Sequence, residues 1–434
     1  MSGLELADLD PFSRRARIAA QEVLAGRRKG IRALLPFAGP AFIASVAYMD
    51  PGNFATNVQG GSAFGYKLLW VVVFANLTAM LFQALSAKLG IVTGKNLPEV
   101  CREQFAKPVT YTMWLVSEVG AMATDLAELL GASIGLNLLF HIPLLLAAVI
   151  AGAVTFAILL MQTKGFRPIE GTIAALVGVI ALCYIVETVL ARPNWNQVAY
   201  HSVVPWLGSG SALLLAVGIV GATVMPHAVY LHSSLTQDRI VPLNRSEMRA
   251  VVRFSNIDVL IALGIAGLVN LAMMYMSAAV FHFGGHPEIA SIQSAYKTLT
   301  PLLGSAAAAV FLLSLMASGI SSSVVGTMAG QVIMQGFVEF VIPLWARRLI
   351  TMLPTFAVIA LGVDTTHALV LSQVVLSLVL PLPLIVLLLF TNKRSVMGES
   401  VSNPVMRVLG VGAAAVVVGL NCVLLWQTLV VLRG

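Results

Sequence analysis

An apolar stretch long enough to cross a bilayer is interrupted near its midpoint by two side chains that could do chemistry, the Asp50 carboxylate and the Asn53 amide, with Pro51 and Gly52 between them. A carboxylate at bilayer depth costs about 2.5–3.5 kcal/mol on insertion scales, so it is rarely retained without a role. Proline removes a backbone donor and glycine permits conformations closed to other residues, which predicts a helix broken at this point. The sequence therefore indicates a functional site at a broken membrane helix.

A second apolar stretch, residues 209–236, carries a matching interruption, in which Met225, Pro226 and His227 follow Ala222. Pro226 breaks the helix and biases Met225 toward an extended backbone. The two breaks lie five predicted spans apart, and an odd number of spans inverts the second copy relative to the first. Interrupted helices at matching positions in two halves mark the binding site of an inverted-repeat transporter. We therefore expect both breaks to contribute to one site.

The two breaks offer five candidate metal ligands: the Asp50 carboxylate, the Asn53 amide oxygen, the Met225 thioether, and the unwound backbone carbonyls of Ala47 and Ala222. Alkali and alkaline-earth cations take oxygen ligands only, whereas oxygens with one soft sulfur suit Mn²⁺, Fe²⁺, Co²⁺ or Cd²⁺. The alternative is that Met225 is apolar filling, as most of the 17 methionines must be. Its position in a break that mirrors Asp50 favours a ligand.

Three further carboxylates, Glu118, Asp125 and Glu128, fall on one stripe of the predicted third span. Chains of carboxylates inside membranes often serve as proton relays. Their natural partners are Arg347 and Arg348 at the start of the predicted ninth span. The alternative is a static network of ion pairs between helices; the two roles are compatible, and we favour the relay.

Two histidines and two amides are further candidates. His227 and His232 follow the second break and could carry protons, because imidazole titrates near neutral pH, although packing is a competing role for both. Gln373 and Asn270 could close over a cation, but hydrogen bonding between helices is the commoner role of such amides. The small residues of 314–330 predict a face for close helix packing.

The composition excludes a soluble globular protein: of 434 residues, 58% are hydrophobic and 10% charged, with a mean hydropathy of +0.91. Residues 98–105 predict a short surface helix. Apolar segments of the length that crosses a bilayer predict about eleven spans, at residues 35–65, 67–92, 107–134, 142–163, 167–190, 209–236, 252–281, 303–331, 343–362, 366–391 and 408–431. These group into an N-terminal tail (1–33), a first five-helix repeat (34–190), a second, inverted repeat (209–391), and a loop with the eleventh helix (392–434).

The net charge of +7 could suggest a nucleic-acid partner, but the distribution of basic residues points to a membrane topology. Of the 26 lysines and arginines, all except Lys67, Arg192, Lys297 and Arg433 fall in the N-terminal tail or on the same side of the predicted spans. This bias places the N-terminus in the cytoplasm and the C-terminus outside, in a multi-pass protein of the plasma or inner membrane. The three cysteines are scattered and predict no disulfide framework.

These motifs resemble those of one family, the natural-resistance-associated macrophage proteins, also called divalent metal transporters. The resemblance rests on residues 50–53, on 225–227, and on 326–337, which is similar to the family's transport signature in the eighth span. It covers essentially the whole chain. The resemblance implies an all-α membrane protein with a LeuT-like 5+5 inverted repeat, in which helices 1 and 6 are broken. It also implies import of Mn²⁺ or Fe²⁺ together with protons, by a protein that functions as a monomer and needs no cofactor.

The resemblance also implies roles for individual residues. The metal-binding aspartate, asparagine and methionine of the family correspond to Asp50, Asn53 and Met225, with support for the carbonyls near Ala47 and Ala222. Gln373 would join the site in an occluded state. A proton route would run from Asp50 past Asp125 and Glu128 toward Arg347 and Arg348, with a role for His227. Met225 argues against the family's magnesium- and aluminium-transporting relatives, which lack the methionine.

Three other function classes are weaker interpretations of the same sequence. A sodium-coupled amino-acid symporter of the same fold would need no carboxylate opposed to Met225. A membrane metalloenzyme would need a catalytic set such as an H-E-x-x-H helix, which the sequence lacks. A receptor or scaffold with simple kinks does not explain two matched breaks that carry metal-binding groups.

Overall fold

The computed structural model describes residues 11–28, 30–164, 166–289 and 291–433, and all regular elements in these ranges are helical. In chain order the α-helices are α1 (Pro11–Leu24), α2 (Pro40–Val46), α3 (Pro51–Phe64), α4 (Leu69–Thr93), α5 (Leu97–Gln104), α6 (Lys107–Phe140), α7 (Leu144–Leu160), α8 (Phe166–Ala191), α9 (Trp195–Val203), α10 (Gly210–Thr223), α11 (Pro226–Thr236), α12 (Arg245–Ser277), α13 (Ile292–Leu303), α14 (Ser305–Val338), α15 (Leu344–Ala360), α16 (Thr365–Val379), α17 (Pro381–Thr391), α18 (Arg394–Met397) and α19 (Pro404–Arg433). The all-α prediction is confirmed for the described residues.

Eight helical stretches among the described residues are long and apolar enough to cross a bilayer. They overlap the predicted second, third, fifth to eighth, tenth and eleventh spans. The predicted first, fourth and ninth spans correspond to shorter helices: the first is divided between α2 and α3, the fourth is α7, and the ninth is α15. Arg347 and Arg348, near the start of α15, lower the mean hydropathy of that helix. Each predicted span therefore has a helical counterpart.

The first span is broken at Asp50, as predicted. A 3-10 turn, Ala47–Met49, follows α2, and Asp50 then adopts an extended backbone with φ −72° and ψ 167°. Pro51 is the first residue of α3, a position where its missing N–H lacks a helical partner in any case. Proline thus both ends the first half-helix and begins the second.

The sixth span is broken in the same way. Helix α10 ends at Thr223, and Val224 and Met225 are extended, with ψ angles of 92° and 120°. Pro226 then begins α11. An unpredicted bend divides the tenth span at Leu380, between α16 and α17, where Pro381 begins the second helix.

Helices α6 and α14 pack closely along their length. A Cβ atom added to Gly319 of α14 would lie 2.6 Å from the Ala132 nitrogen and 2.8 Å from the Glu128 carbonyl oxygen, closer than side-chain atoms approach a backbone. The absence of a side chain at Gly319 therefore allows the two backbones to meet, as the small residues of 314–330 predict. This contact fixes the carboxylates of α6 against α14.

Candidate metal site

The Asp50 carboxylate is buried at the first break and accepts three hydrogen bonds. Its oxygens lie 3.1 Å from the Gly52 nitrogen, 3.0 Å from the Asn53 nitrogen and 2.6 Å from Asn53 Nδ2. Asp50 is 1% exposed and makes no ion pair with any described residue. It caps the N-terminus of α3, whose helix dipole favours a negative charge. The carboxylate therefore has donors that suit its charged form, but no cation among the described residues balances that charge.

Asn53 joins the first break to the second. Its Nδ2 donates to the Ala222 carbonyl oxygen at 2.8 Å, and its Oδ1 accepts from Thr223 Oγ1 at 2.9 Å. The first turn of α3 thus lies against the last turn of α10. Asp50, Asn53 and the Ala222 carbonyl, three of the predicted ligands, form one cluster. Thr223 was missed by sequence reasoning, although its hydroxyl stands next to Ala222 in the second break.

The other predicted ligands from the breaks are also buried. Met225 is fully buried and precedes α11 without a side-chain hydrogen bond to the helix. Ala47 is buried in the turn that leads to Asp50. The carbonyls of the next two residues are already bound, since Tyr48 O accepts from Asn270 and Met49 O accepts from Ser318.

The two intramembrane amides have different surroundings. Gln373 lies against Gly52, where an added Cβ atom would be 2.8 Å from Gln373 Oε1. That oxygen is buried without a hydrogen bond in the described structure. Asn270 instead donates to Tyr48 O at 2.6 Å and accepts from Asn57 Nδ2 at 3.1 Å, so it joins α12 to the first span. Gln373 thus has a free amide oxygen beside the Asp50 break, and Asn270 serves helix packing.

Two of the predicted carboxylates of α6 form ion pairs with the arginines of α15; the pair of Asp125 is buried, and that of Glu118 is half-buried. Arg347 Nη1 lies 2.6 Å from Glu118 Oε1, and Arg348 Nη1 lies 3.3 Å from Asp125 Oδ1. Arg348 also donates to Thr327 Oγ1 of α14 at 3.3 Å. Both arginines are 2% exposed. Each guanidinium therefore compensates one carboxylate within the protein.

Glu128 is the one of these three carboxylates that forms no ion pair with Arg347 or Arg348. It is fully buried, and neither of its oxygens makes a hydrogen bond of normal geometry with a described residue. It lies within electrostatic reach of two carboxylates, Asp50 and Asp125, and of the Arg348 guanidinium. A Cβ atom on Gly326 would overlap Glu128 Oε2 and lie 3.2 Å from Asp125 Oδ1. The first glycine of the 326–337 segment thus leaves room for these carboxylates.

Both predicted histidines are buried beyond the second break. His227 Nδ1 lies 3.2 Å from Thr124 Oγ1 of α6. His232 Nδ1 lies 2.8 Å from Gln83 Oε1, and Gln83 Nε2 donates to the Tyr48 hydroxyl at 2.5 Å. Each Nε2 is without a partner among the described residues. Gln83 was not singled out from the sequence, although an amide in the second span was a visible signal.

A second ionic cluster, at the end of the bundle that carries Arg17, Arg167 and Arg239, was missed by sequence reasoning. We call this end the basic end. Glu170 Oε1 lies 2.5 Å from Arg239 Nη1, and Glu170 Oε2 lies 3.1 Å from Arg167 Nη1. Arg239 Nη2 donates to Ala38 O at 3.0 Å. The cluster thus ties the start of the first span to α8; the available signal was a glutamate one turn inside the fifth span.

Asp258 of α12 also contacts the start of the first span. Its Oδ2 accepts from the Ala41 nitrogen of α2 at 3.0 Å. The first turn of α2 has backbone N–H groups without helical partners, and a carboxylate satisfies one of them. Asp258 was also missed, although it is a carboxylate inside the predicted seventh span.

The site at the breaks is closed to solvent. Asn53 and Met225 are fully buried, like Asp50. At the basic end, a cavity of about 370 Å³ reaches inward as far as Leu231, one turn of α11 beyond His227. The described residues contain no group of three or more His, Cys, Asp and Glu side chains that could hold a metal. A metal at the breaks would therefore meet one carboxylate and several neutral donors.

Comparisons with solved structures support this architecture. The chain is similar to the manganese transporter of Eremococcus coleocola, solved with an aromatic bis-isothiourea compound, with a TM-score of 0.83 and 36% identity over 91% of this chain and 87% of that chain. It also matches Mhp1, a nucleobase-cation-symport-1 family transporter in a closed conformation, with a TM-score of 0.62. That match is 14% identical and covers 90% of this chain and 92% of the other, so it bears on the fold alone. The predicted LeuT-like fold is confirmed.

Sequence comparisons identify the family. The chain is 59% identical to the divalent metal cation transporter MntH of Verminephrobacter eiseniae over 95% of this chain and 94% of that protein. It is 56% identical to the protein of the same name from Acidiphilium cryptum over 98% of this chain and 97% of that protein. The family model described as natural resistance-associated macrophage protein-like matches residues 41–427. The chain therefore belongs to the natural resistance-associated macrophage protein family, as its motifs predict.

Proposed function

We propose that this chain imports divalent transition metal ions, Mn²⁺ and Fe²⁺ and also Cd²⁺ and Co²⁺, together with protons, by alternating access. Family membership makes it a multi-pass membrane transporter of divalent metal ions rather than an enzyme. The observation that supports the choice of metals, the coupling to protons and alternating access is that hydrogen bonds join the two breaks. There, Asp50 is buried without a cationic partner and shares the Asn53 amide with the Ala222 carbonyl.

Metal would enter this cluster by replacing the hydrogen bonds that now hold it closed. The Asn53 amide donates to both Asp50 and Ala222 O, so rotation of the amide would free two oxygens and present Oδ1 as a third. Ala47 O and Gln373 Oε1 are the further oxygen donors of the proposal. Because a metal requires the charged carboxylate, binding would release any proton held by Asp50.

Met225 would set the selectivity of the site. Its thioether adds nothing for Ca²⁺, Mg²⁺ or Na⁺, which take oxygen ligands, but suits softer divalent ions. The same argument weakens the alternative of a sodium-coupled symporter, because one carboxylate and one thioether do not make an all-oxygen sodium site.

The proton route would begin at Asp50 and continue to Glu128. Glu128 makes no ion pair and has no hydrogen-bond donor of normal geometry among its described neighbours, so it is suited to carry a proton. Asp125 with Arg348, and Glu118 with Arg347, would lead the proton onward. His227 and His232 are additional carriers in this proposal.

Alternating access would use the two breaks as hinges. Half-helices α2 and α11 would swing about Asp50 and Met225, as hinges at element ends do in transporters. At the basic end, opening would separate Arg239 from Glu170 and Ala38. We assign the basic end to the cytoplasm because the basic residues of the chain concentrate on that side. The C-terminus would then lie outside.

Uptake into proteoliposomes tests the proposal. Mn²⁺ flux is measured with Cd²⁺, Ca²⁺ and Mg²⁺ as competitors while external pH is varied and internal pH is recorded. We expect Cd²⁺ to compete, Ca²⁺ and Mg²⁺ to compete weakly, and the interior to acidify with metal entry. Equal competition by Ca²⁺ would refute the mixed-ligand site, and metal entry without acidification would refute proton coupling.

A further inference from the structure

The N-terminal helix α1 packs against the basic end through one apolar face. Ala20 and Val23 are buried together with Phe37, Ile91 and Val251. The arginines of α1 lie outside this contact: Arg14 and Arg15 are exposed, and Arg17 Nε donates to the Arg239 carbonyl at 3.2 Å. Because the apolar face is already covered by the protein, the basic face is free to meet another partner.

A cavity of about 620 Å³ lies between α1, the segment that follows it, and the start of α8. It is lined by four arginines and by two large apolar side chains: Arg15, Arg28, Arg32, Arg167, Ile18 and Leu35. Among the described residues, none of those that line it is acidic. The cavity therefore combines concentrated positive charge with apolar surface.

Two of these arginines carry charge that the protein does not compensate. Arg28 pairs with Glu22 at 2.5 Å and Arg167 pairs with Glu170 at 3.1 Å. Arg15 and Arg32 make no ion pair with any described residue, and both are exposed. Guanidinium groups with free N–H donors match the oxygens of a phosphate group.

The cavity lies at the level where membrane helices begin. Arg167 opens the fifth span, and Leu35 precedes Pro40, the first residue of α2. Ile18 is 41% exposed and Leu35 64% exposed. An arginine cluster beside exposed aliphatic side chains at this level fits the boundary between lipid headgroups and acyl chains.

We propose that this cavity binds the headgroup of an anionic phospholipid. Arg15 and Arg32 bind the phosphate, and Ile18 and Leu35 contact the first methylene groups of the acyl chains. Since Arg17 of the same helix contacts the carbonyl of Arg239, a bound lipid also holds α1 against the ion-paired cluster of Glu170 and Arg239. This inference concerns lipid binding and does not rest on the proposed transport of metal.

Native mass spectrometry of the full-length protein, released from detergent with phosphatidylglycerol or phosphatidylcholine, tests the site. The test variant is Arg15→Gln with Arg32→Gln. The control, Arg14→Gln with Arg27→Gln, makes the same change of charge at exposed arginines outside the cavity. Only the test variant removes guanidinium groups that would donate charge-assisted hydrogen bonds to the phosphate, so we expect phosphatidylglycerol affinity to fall by about tenfold or more in that variant only.

Three results would overturn the proposal. The first is unchanged phosphatidylglycerol retention in the test variant. The second is an equal loss in the control, which would show general attraction rather than a site. The third is displacement of the lipid by inorganic phosphate at equal concentration, which would identify a site for free anions. The predicted result is phosphatidylglycerol bound in preference to phosphatidylcholine, insensitive to inorganic phosphate, and weakened only by loss of Arg15 and Arg32.

Discussion

Asp50 and Asp125 are both aspartates that are 1% exposed inside the same bundle, yet their surroundings differ. Asp125 faces Arg348 at 3.3 Å, so its charge is balanced within the protein. Asp50 faces two backbone N–H groups and an amide, which stabilise a carboxylate without neutralising it. A buried charge without a partner is unfavourable, and an arriving cation removes that penalty. Asp50 can therefore bind an arriving cation, whereas the charge of Asp125 is already balanced by Arg348.

The largest expected effect is on transport by Asp50→Asn. We expect Mn²⁺ uptake to fall to the level of protein-free liposomes, at least about 100-fold, because even outer partners of metal ligands contribute about 10- to 100-fold. Asparagine caps helices as well as aspartate does, so folding should change by less than about 1 kcal/mol. Glu288→Gln, the same chemical change at an exposed position, is the control. Substantial uptake by Asp50→Asn would remove Asp50 from the site.

For Asp125→Asn the main expected effect is on stability, because the substitution leaves the Arg348 guanidinium buried and unpaired. The free energy of unfolding should fall by about 3–5 kcal/mol, whereas that of Asp50→Asn stays near wild type. Reversible unfolding in mixed micelles measures both. Adding Arg348→Gln to Asp125→Asn should recover part of the loss. If both aspartate variants are equally stable, the contrast between the two surroundings is wrong.

A third expectation concerns Glu128, the carboxylate between these two environments. Glu128→Gln removes a group that can release a proton but breaks no ion pair. Most of the proton flux that accompanies metal should disappear, while Mn²⁺ binding remains. A pH-sensitive dye inside proteoliposomes follows the protons, and titration of the purified protein follows the metal. Unchanged proton flux would favour a purely structural role for Glu128.

The smallest effect is expected at Gly326. A methyl group there would overlap Glu128 Oε2, so Gly326→Ala should lower stability by about 1–3 kcal/mol and slow proton flux. The matched control is Gly171→Ala in α8, where an added Cβ atom meets nothing within 4 Å. Alanine should gain up to about 1 kcal/mol over glycine at that helical position. Equal stability changes in the two variants would contradict the assigned crowding.

The sequence predicts the breaks well because their cause is local. Pro51 and Pro226 end one helix and begin another wherever the chain lies, and the spacing of Glu118, Asp125 and Glu128 places them on one helical face. That Arg347 and Arg348 meet this face also follows from their charge. The sequence did not determine which carboxylate each arginine would take, or that Glu128 would have none.

The features that were missed depend on contacts between distant helices. Glu170 with Arg239 and Thr223 with Asn53 come from segments whose relative positions are set by packing. Periodicity identifies a buried polar residue but not its partner on another helix. The bend at Leu380 was missed for a different reason, since the proline that causes it lies within a continuous apolar run.

The central claim is that both breaks bind one metal ion, with oxygen from Asp50 and sulfur from Met225. X-ray absorption spectroscopy of the Cd²⁺-loaded protein tests it directly, in a background where Cys101, Cys183 and Cys422 are replaced by alanine so that Met supplies the only sulfur. We predict one sulfur neighbour among oxygen and nitrogen neighbours, and its loss in Met225→Ala. A purely oxygen and nitrogen shell in the cysteine-free protein, or a sulfur signal that survives Met225→Ala, would contradict the account.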